Sequence, residues 1–174
     1  TTYAKSIENC SNSGNITIVN TEKNDPEYGP ALTACGVIGE CRQKITGCSN
    51  TGNISVTNKG GKKSTTRATI AGVFSSSGKA ASRCYNTGNI SYKGACTDYS
   101  LDKAIRVEGV GTGNGTSECY NTGKITVKLT SGTACVGGVS YAGRKLKNCY
   151  NTGAVSLTGN GQIGGIAAEF YDGY

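Results

Sequence analysis

The chain has 174 residues with 27 glycines and 2 prolines, and its hydrophobic content of 36 % is below the globular average although the apolar residues are regularly placed. Its formal net charge of +7 is spread along the sequence apart from a basic cluster at residues 59–67, so the dense basic stripe typical of nucleic-acid binding is missing. No stretch approaches the ~18 consecutive apolar residues that cross a bilayer, and no membrane insertion is predicted.

One nine-residue phrase occurs five times along the chain. It opens with cysteine, continues with Asn-Thr-Gly or Asn-Ser-Gly, and ends in alternating apolar and hydroxyl residues. The copies occupy residues 10–18, 48–56, 84–92, 119–127 and 149–157, and their cysteines are 38, 36, 35 and 30 residues apart. A period between about 20 and 50 residues is typical of repeat architectures.

Each unit contains a rigid part and a variable part. The asparagine and glycine of the phrase favour a tight turn, and the alternation that follows predicts a short strand buried on one face. A second fixed point follows downstream, in the pairs Gly36-Val37, Gly72-Val73, Gly109-Val110, Gly138-Val139 and Gly165-Ile166. The length between phrase and glycine varies from unit to unit, whereas the length from glycine to the next cysteine is nearly constant.

These patterns predict an all-β fold, a β-solenoid of about five coils with two to three short strands per coil. No single unit can bury its own apolar face, so neighbouring units must stack. Residues 1–174 are interpreted as a single repeat domain and as a fragment of a longer surface protein. A β-propeller is less compatible because its blades take about 40 or more residues, and helical repeats lack support because no 3.6-residue apolar period is present.

The cysteines and asparagines of the phrase are predicted to form two internal ladders. Free cysteine is a small apolar side chain and stacked amides hydrogen-bond along the axis, so stacking alone explains both columns. The ladder residues are Cys10, Cys48, Cys84, Cys119 and Cys149, with Asn12, Asn50, Asn86, Asn121 and Asn151. Zinc sites need closer cysteine or histidine pairs than this sequence offers, and no metal or cofactor is predicted.

Side chains outside the ladders leave alternatives open. A disulfide between Cys35 and Cys41 is the main alternative to free thiols throughout, and Cys96 is the candidate for an exposed thiol. The tyrosines that follow three ladder cysteines, Tyr85, Tyr120 and Tyr150, are predicted to stack in an aromatic column. That column either is exposed as a platform for a sugar or a partner, or packs under a loop.

The phrase, followed by a Val-Gly-Gly-Val type of segment, resembles the GLUG-type repeats of bacterial cell-surface proteins. The family's Gly-Leu-x-Gly core has its counterpart in Gly36-Val37-Ile38-Gly39, with Val in place of Leu, and the resemblance extends over about residues 7–168. It implies kinship with large adhesin-like proteins and with non-catalytic regions of immunoglobulin A peptidases. It also implies an extracellular or cell-surface location in a gut or oral bacterium.

Catalysis is not predicted for this chain. Because histidine is absent, zinc-peptidase helix motifs and Ser-His or Cys-His nucleophile pairs are excluded. A glycosidase needs two carboxyl groups close together, and none of the 11 acidic residues recurs on the predicted strands. A glycan-active β-helix enzyme is kept as a third alternative. An ice-binding face is disfavoured because coil length and the residues between the hydroxyl columns vary.

The predicted function is non-enzymatic binding or adhesion through the long loops at 19–33, 57–69 and 93–106. Loops on a rigid scaffold carry function, and insertions in repeat proteins collect on one face. The candidate binding residues are Tyr28, Lys62, Lys63, Asp98, Tyr99 and Arg106. A host protein is the favoured ligand, an immunoglobulin is implied by the peptidase kinship alone, and a glycan is a further option. A passive spacer is the alternative function.

Overall fold

A computed structural model describes residues 6–21, 32–60, 67–95, 105–143 and 145–170. Every regular element in these ranges is a β-strand, and strands of successive repeats pair in parallel. The chain therefore winds as a β-solenoid, which confirms the fold class predicted from the phrase. The described ranges contain no helix that could span a membrane.

The strands form five coils along the axis. Coil 1 holds β1 (Ser6–Glu8), β2 (Ser11–Asn12), β3 (Ile16–Asn20), β4 (Leu32–Cys35) and β5 (Ile38–Cys41). Coil 2 holds β6 (Lys44–Thr46), β7 (Ser49–Asn50), β8 (Ile54–Asn58), β9 (Ala68–Ala71) and β10 (Phe74–Ser77). Coil 3 holds β11 (Ala81–Ser82), β12 (Tyr85–Asn86), β13 (Ile90–Ala95), β14 (Ile105–Glu108) and β15 (Thr112–Gly113).

Coil 4 holds β16 (Thr116–Ser117), β17 (Tyr120–Asn121), β18 (Ile125–Gly137) and β19 (Ser140–Gly143). Coil 5 holds β20 (Leu146–Lys147), β21 (Tyr150–Asn151), β22 (Val155–Gly164) and β23 (Ala167–Phe170). Each coil thus carries four or five strands, more than the two to three predicted. The additional strands are segments of two or three residues beside the ladder cysteine, too short to show an alternation of apolar and polar side chains.

Equivalent positions of the phrase pair from coil to coil. The strand that closes the phrase pairs in the register Ile16, Ile54, Ile90, Ile125, Val155, so all five copies stack in line. In coils 1–3 the phrase strand and the strand before the recurring glycine are separate, whereas β18 and β22 each run through both positions without a break. The recurring phrase therefore sets one common register for the whole solenoid.

Two apolar cores run side by side through the stack. The larger core contains the phrase strands and the strands before the recurring glycine, with Ile54, Ile90 and Val107 at 1 % exposure or less. The smaller core contains Phe74 and the central ladder cysteines, among them Cys48 and Cys84. The chain crosses from one core to the other at the recurring glycine and crosses back at the phrase asparagine.

The two crossings touch each other at a waist between the cores, formed by Gly36, Gly72, Gly109 and Gly138 facing Asn50, Asn86, Asn121 and Asn151. A Cβ added at Gly72 would lie 2.7 Å from the Cβ of Asn86 and closer still to the carbonyl oxygen of Gly109. Only glycine fits such an approach of two backbones. The waist therefore explains why the glycine and the asparagine recur together.

One side of the solenoid is interrupted between coils 3 and 4. Strand β15 pairs with β10 of coil 2, and β19 pairs with β23 of coil 5, but β15 and β19 do not pair with each other in the described chain. Coil 3 is also the one with the shortest stretch from the recurring glycine to the next cysteine, Gly109 to Cys119. The strand pairing stops between β15 and β19, although the Gly111 N–H beside them still donates to Val139 O at 3.1 Å.

Candidate binding surfaces

The asparagine ladder is a continuous chain of side-chain hydrogen bonds at the waist. Each Nδ2 donates to the Oδ1 of the asparagine in the next coil, at 2.8 Å from Asn12 to Asn50 and 2.7 Å from Asn86 to Asn121. The same Nδ2 also donates to the carbonyl of the glycine two residues on, as from Asn86 to Gly88 at 2.7 Å. Since its central members are fully buried, the ladder has no surface to offer a ligand.

The cysteine ladder lies in the smaller core. Cys48, Cys84 and Cys119 are fully buried, whereas Cys10 is exposed and Cys149 is partly exposed because these two belong to the end coils. Each thiol lies within hydrogen-bond distance of the carbonyl two residues before it, as Cys119 does with Ser117 at 3.2 Å. Hydrogen bonds to the neighbouring thiols, together with burial, raise the pKa of Cys119, so this thiol is protonated and unreactive.

The alternative disulfide between Cys35 and Cys41 is not formed, because both are free thiols. The Cys41 thiol lies in the smaller core and contacts the backbone of Gln43. The Cys35 thiol lies elsewhere, near Glu108, and burial raises its pKa to about 12. The two side chains therefore occupy different environments. Cys96 lies outside the described residues.

The three tyrosines do form a stacked column on the outside of the solenoid. Ring centroids are 4.9 Å apart between Tyr85 and Tyr120 and again between Tyr120 and Tyr150, with interplanar angles of 2° and 3°. Tyr150 is 50 % exposed, and the other two rings are partly exposed. Because the rings cover one another's faces, a sugar ring can stack only at an end of the column. The surface along the column consists of ring edges and hydroxyl groups.

The strands that flank the predicted binding loops are aligned from coil to coil. Strands β3, β8 and β13 end side by side, where Asn20 donates from Nδ2 to Asn58 Oδ1 at 3.0 Å and Asn58 donates to Ala95 O at 3.2 Å. The chain re-enters side by side as well, because β4, β9 and β14 are adjacent in one sheet. Three consecutive coils therefore carry a connection between the same two strand positions, whereas β18 and β22 pass through these positions.

Of the candidate binding residues, Tyr28, Lys62, Lys63, Asp98 and Tyr99 lie outside the described residues. Arg106 lies on β14, one residue past the strand's start, and its guanidinium sits 4.5 Å above the ring centroid of Tyr141 in the next coil. Such a contact is a cation–π interaction. Arg106 is thus directed along the solenoid wall towards the interruption between coils 3 and 4.

A polar depression of about 380 Å³ opens at this interruption. It is lined by Ser76, Ser77, Gly78, Thr112, Gly113, Asn114, Tyr141 and Ala142. None of these side chains is charged, and the groups they offer are hydroxyls, one amide and one phenol ring. The lining therefore offers hydrogen-bonding groups, and the one charged group beside it is the Arg106 guanidinium on the Tyr141 ring.

Glu108 lies behind the wall of the depression and is fully buried. Its Oε2 accepts a hydrogen bond from the backbone N–H of Tyr141 at 3.1 Å and lies 2.7 Å from the hydroxyl of Thr112. Its Oε1 has no hydrogen-bond partner among the described residues. Burial raises the pKa of Glu108 to about 8, against the lowering effect of its hydrogen bonds. At pH 7 this carboxyl is mainly protonated.

Two hydroxyls continue the hydrogen bonding beside Glu108. The Thr112 hydroxyl donates to Glu108 Oε2 and lies 2.5 Å from the Ser140 hydroxyl, and Ser140 donates to Ala142 O at 2.8 Å. These contacts connect Glu108 of coil 3 with β19 of coil 4.

Sequence reasoning missed Glu108 because no residue type recurs at its position. The stacked neighbours are Cys35, Ala71, Gly137 and Gly164, all small. An alignment of the five units shows Glu108 as the one carboxyl in a column of small residues, and this is the signal by which it could have been found. A protonated carboxyl can donate a proton, but glycoside hydrolysis takes a second carboxyl within ~5–10 Å. No residue in the described lining of the depression is acidic.

We expect Glu108→Gln to remove a pH dependence of stability. The pKa of Glu108 in the folded protein is about 8, above the ordinary value of 4.5. Between these pH values the folded protein therefore keeps a proton on Glu108 that the unfolded chain has released. The stabilising contribution of Glu108 is therefore complete below about pH 4.5 and is lost as pH rises to about 8, with the slope of one bound proton. Urea unfolding of both proteins from pH 4 to 9 measures this difference.

The glutamine variant should match the parent at the acidic end and exceed it in stability at the alkaline end. Glu118→Gln serves as the control, because it removes an exposed carboxyl in the neighbouring coil 4. Parallel pH profiles for parent and Glu108→Gln would contradict a buried neutral carboxyl.

The described residues contain no cluster of three or more His, Cys, Asp or Glu side chains suited to a metal ion. Comparisons with protein-family models, with curated proteins and with solved structures found no match for the chain. The resemblance to GLUG-type repeats therefore stays a prediction that rests on the phrase, as does the bacterial surface location.

Proposed function

We propose that the chain is a non-enzymatic binding module of a bacterial surface, which presents three loops of different sequence to a host protein. The observation that carries this proposal is the alignment of the loop bases. In three consecutive coils a loop separates the phrase strand from the strand before the recurring glycine. The strands on each side of these loops pair from coil to coil, and hydrogen bonds from Asn20 to Asn58 and from Asn58 to Ala95 join the points where the loops begin. The loops therefore start from one rigid line.

The loop bases are stable because both flanking strand rows belong to the larger core. Ile54 and Ile90 on the exit side and Ile70 and Val107 on the return side are all at 1 % exposure or less. Changes of sequence between these anchors leave the core untouched, which is the condition under which loops diversify and carry binding.

The loop sequences favour a protein as the ligand. Residues 22–31 contain three acidic residues, residues 61–66 contain two lysines, and residues 96–104 contain two aspartates and one lysine. Alternating charge across adjacent loops matches a partner surface that carries both signs. Tyr28 and Tyr99 add the side chain type that most often anchors protein interfaces. An immunoglobulin is the first partner to test, on the strength of the resemblance alone.

The proposal is tested by a graft that coil 4 itself provides. Ala95 pairs with Ser131 and Ile105 pairs with Ala134, so residues 96–104 correspond to the two residues Gly132 and Thr133. Replacing 96–104 by Gly-Thr should preserve the thermal unfolding transition and reduce the affinity for purified immunoglobulin A at least tenfold in a surface-binding assay. A second variant with a Gly/Ser loop of the original length separates loss of side chains from loss of length.

Two outcomes would overturn the proposal. If the parent binds neither immunoglobulin A nor any fractionated serum or mucosal protein, the passive spacer is the better description. If a variant with all three loops shortened still binds as tightly as the parent, the ligand contacts another surface, and the tyrosine column and the polar depression become the sites to test.

A further inference from the structure

The outward-facing side chains of the phrase in coils 2–4 form a surface without acidic residues, here named the phrase wall. From the residue after each ladder asparagine onward, every second side chain faces outward and those between are buried. The outward residues are Thr51, Asn53, Ser55, Thr57 and Lys59 in coil 2, Thr87, Asn89, Ser91 and Lys93 in coil 3, and Thr122, Lys124, Thr126 and Lys128 in coil 4. The charged groups of the phrase wall are therefore all positive.

Two of the lysines lie directly opposite each other in neighbouring coils. Lys93 of coil 3 pairs in register with Lys128 of coil 4, so their Cα atoms are about 4.8 Å apart, the spacing of neighbouring strands. Lys124 lies on the same side of β18, about 13 Å from Lys128 along the strand. Like charges directly opposite on a sheet are destabilising, and none of these lysines forms an ion pair within the described residues. An anion bound between them would remove this repulsion.

The outer asparagines of the phrase wall offer further hydrogen-bond donors. Asn53 Oδ1 accepts the backbone N–H of Asn89 at 2.9 Å, and Asn89 Oδ1 accepts the backbone N–H of Lys124 at 3.0 Å. Since the acceptor atom of each amide is used within the wall, its Nδ2 group is left as a donor for an external partner. The phrase wall thus combines ammonium, amide and hydroxyl donors, and its described side chains include no carboxylate acceptor.

A surface of this kind is complementary to a polyanion, and the tyrosines beside it favour one kind of polyanion. Single-stranded nucleic acids bind largely by stacking their bases on aromatic faces. Tyr85 and Tyr120 lie two residues before Thr87 and Thr122, and their rings stack on each other with centroids 4.9 Å apart. Their edges and hydroxyl groups, rather than their faces, border the wall. Phenol hydroxyls can hydrogen-bond to the hydroxyl groups of a sugar.

We infer that the phrase wall binds a linear acidic polysaccharide. Its sulfate or carboxylate groups pair with Lys93, Lys128 and Lys124, and its hydroxyl groups accept hydrogen bonds from the amide and hydroxyl columns between these lysines. Because the lysines are exposed, salt screens the attraction and weakens the binding. The site uses coils 2–4 and a different surface from the loops, so it does not rest on the function proposed for them.

The chain itself supplies replacements for a test variant that keeps the fold. Thr57 and Thr158 occupy the column of Lys93 and Lys128, and an asparagine of coil 3 occupies the column of Lys124. A variant that combines Lys93→Thr, Lys124→Asn and Lys128→Thr should unfold at the same temperature as the parent or slightly above it, since the opposed charges are gone. Its affinity for heparin, measured by fluorescence anisotropy at low salt, should fall about tenfold or more.

A matched control variant removes three positive charges from another side of the solenoid. It combines Lys44→Ser, Arg83→Asn and Lys147→Ser. Serine occupies the columns of Lys44 and Lys147 in neighbouring coils, and Asn9 and Asn148 share the positive φ of Arg83. The control variant has the same net charge as the test variant, and it should retain the heparin affinity of the parent within about twofold.

A parent that does not bind heparin would overturn the inference. Equal losses in the test and control variants would do so as well, because general charge attraction would then explain the binding. If single-stranded oligothymidylate of equal charge binds as tightly as heparin, the wall recognises charge alone and the polysaccharide assignment is wrong. Replacing residues 96–104 by Gly-Thr should leave heparin binding unchanged. A loss in that variant would place the site on the loop instead.

Discussion

Gly109→Ala should unfold the solenoid under conditions in which the parent is folded. A Cβ at this position would lie 2.7 Å from the Cβ of Asn121 and closer still to the carbonyl oxygen of Gly138. Both neighbours are fixed, one by the asparagine ladder and the other by the next coil, so the waist would have to open. We expect a loss on the order of 4 kcal/mol or more in unfolding free energy. Urea unfolding followed by circular dichroism measures it.

Gly165→Ala is the matched control in the same column. Gly165 is in the last coil, and a Cβ there would have no atom of the described residues within 4 Å. Its replacement should change stability by less than about 0.5 kcal/mol. Equal effects of the two substitutions would show that the recurring glycine is required for backbone conformation alone and not for the contact across the waist.

Asn86→Asp should destabilise the protein nearly as much. The Nδ2 of Asn86 donates to Gly88 O and to Asn121 Oδ1, both at 2.7 Å, and its Oδ1 accepts from Asn50. A carboxylate keeps the acceptor and loses both donations, so it would face two oxygen atoms in a fully buried place. Leaving a buried charge uncompensated costs about 3–5 kcal/mol, and thermal unfolding of the purified variant would report it.

Asn151→Asp introduces the same charge at the end of the asparagine ladder and so separates the effect of burying a charge from the effect of breaking the ladder. Asn151 receives the Nδ2 of Asn121 and donates to Gly153 O, but it is only partly buried in the end coil. Water can solvate a carboxylate there, so the loss should be at most about 1 kcal/mol. If the end and the central substitution cost the same, the ladder would contribute through local turn geometry rather than through its continuity.

The recurring phrase was sufficient to predict the fold class, the register and the two internal columns. Every copy places an apolar residue on the core side of the same strand, and pairing in register brings Ile54 beside Ile90 and Ile125. The contact between Asn86 and Gly72 could not be predicted in this way, although both columns were visible. Alternation tells which side a residue faces, but it does not tell that the recurring glycine of one coil meets the phrase asparagine of the next coil.

The features that differ between units were beyond sequence reasoning. Glu108 occurs once, and its environment depends on a gap in pairing between β15 and β19 that no pattern of apolar residues reveals. Arg106 was assigned to the loop surface, but its guanidinium stacks on Tyr141, a contact between coils whose partner lies 35 positions away. Periodicity describes what repeats, and the candidate binding features are the departures from it.

The asparagine ladder gives the molecule a polar axis. All four amide-to-amide hydrogen bonds run in the same direction, from coil 1 towards coil 5. Their dipoles therefore add instead of cancelling, and chains of aligned hydrogen bonds polarise one another. The coil 5 end gains partial positive character and the coil 1 end partial negative character, in the manner of an α-helix but carried by side chains in an all-β body.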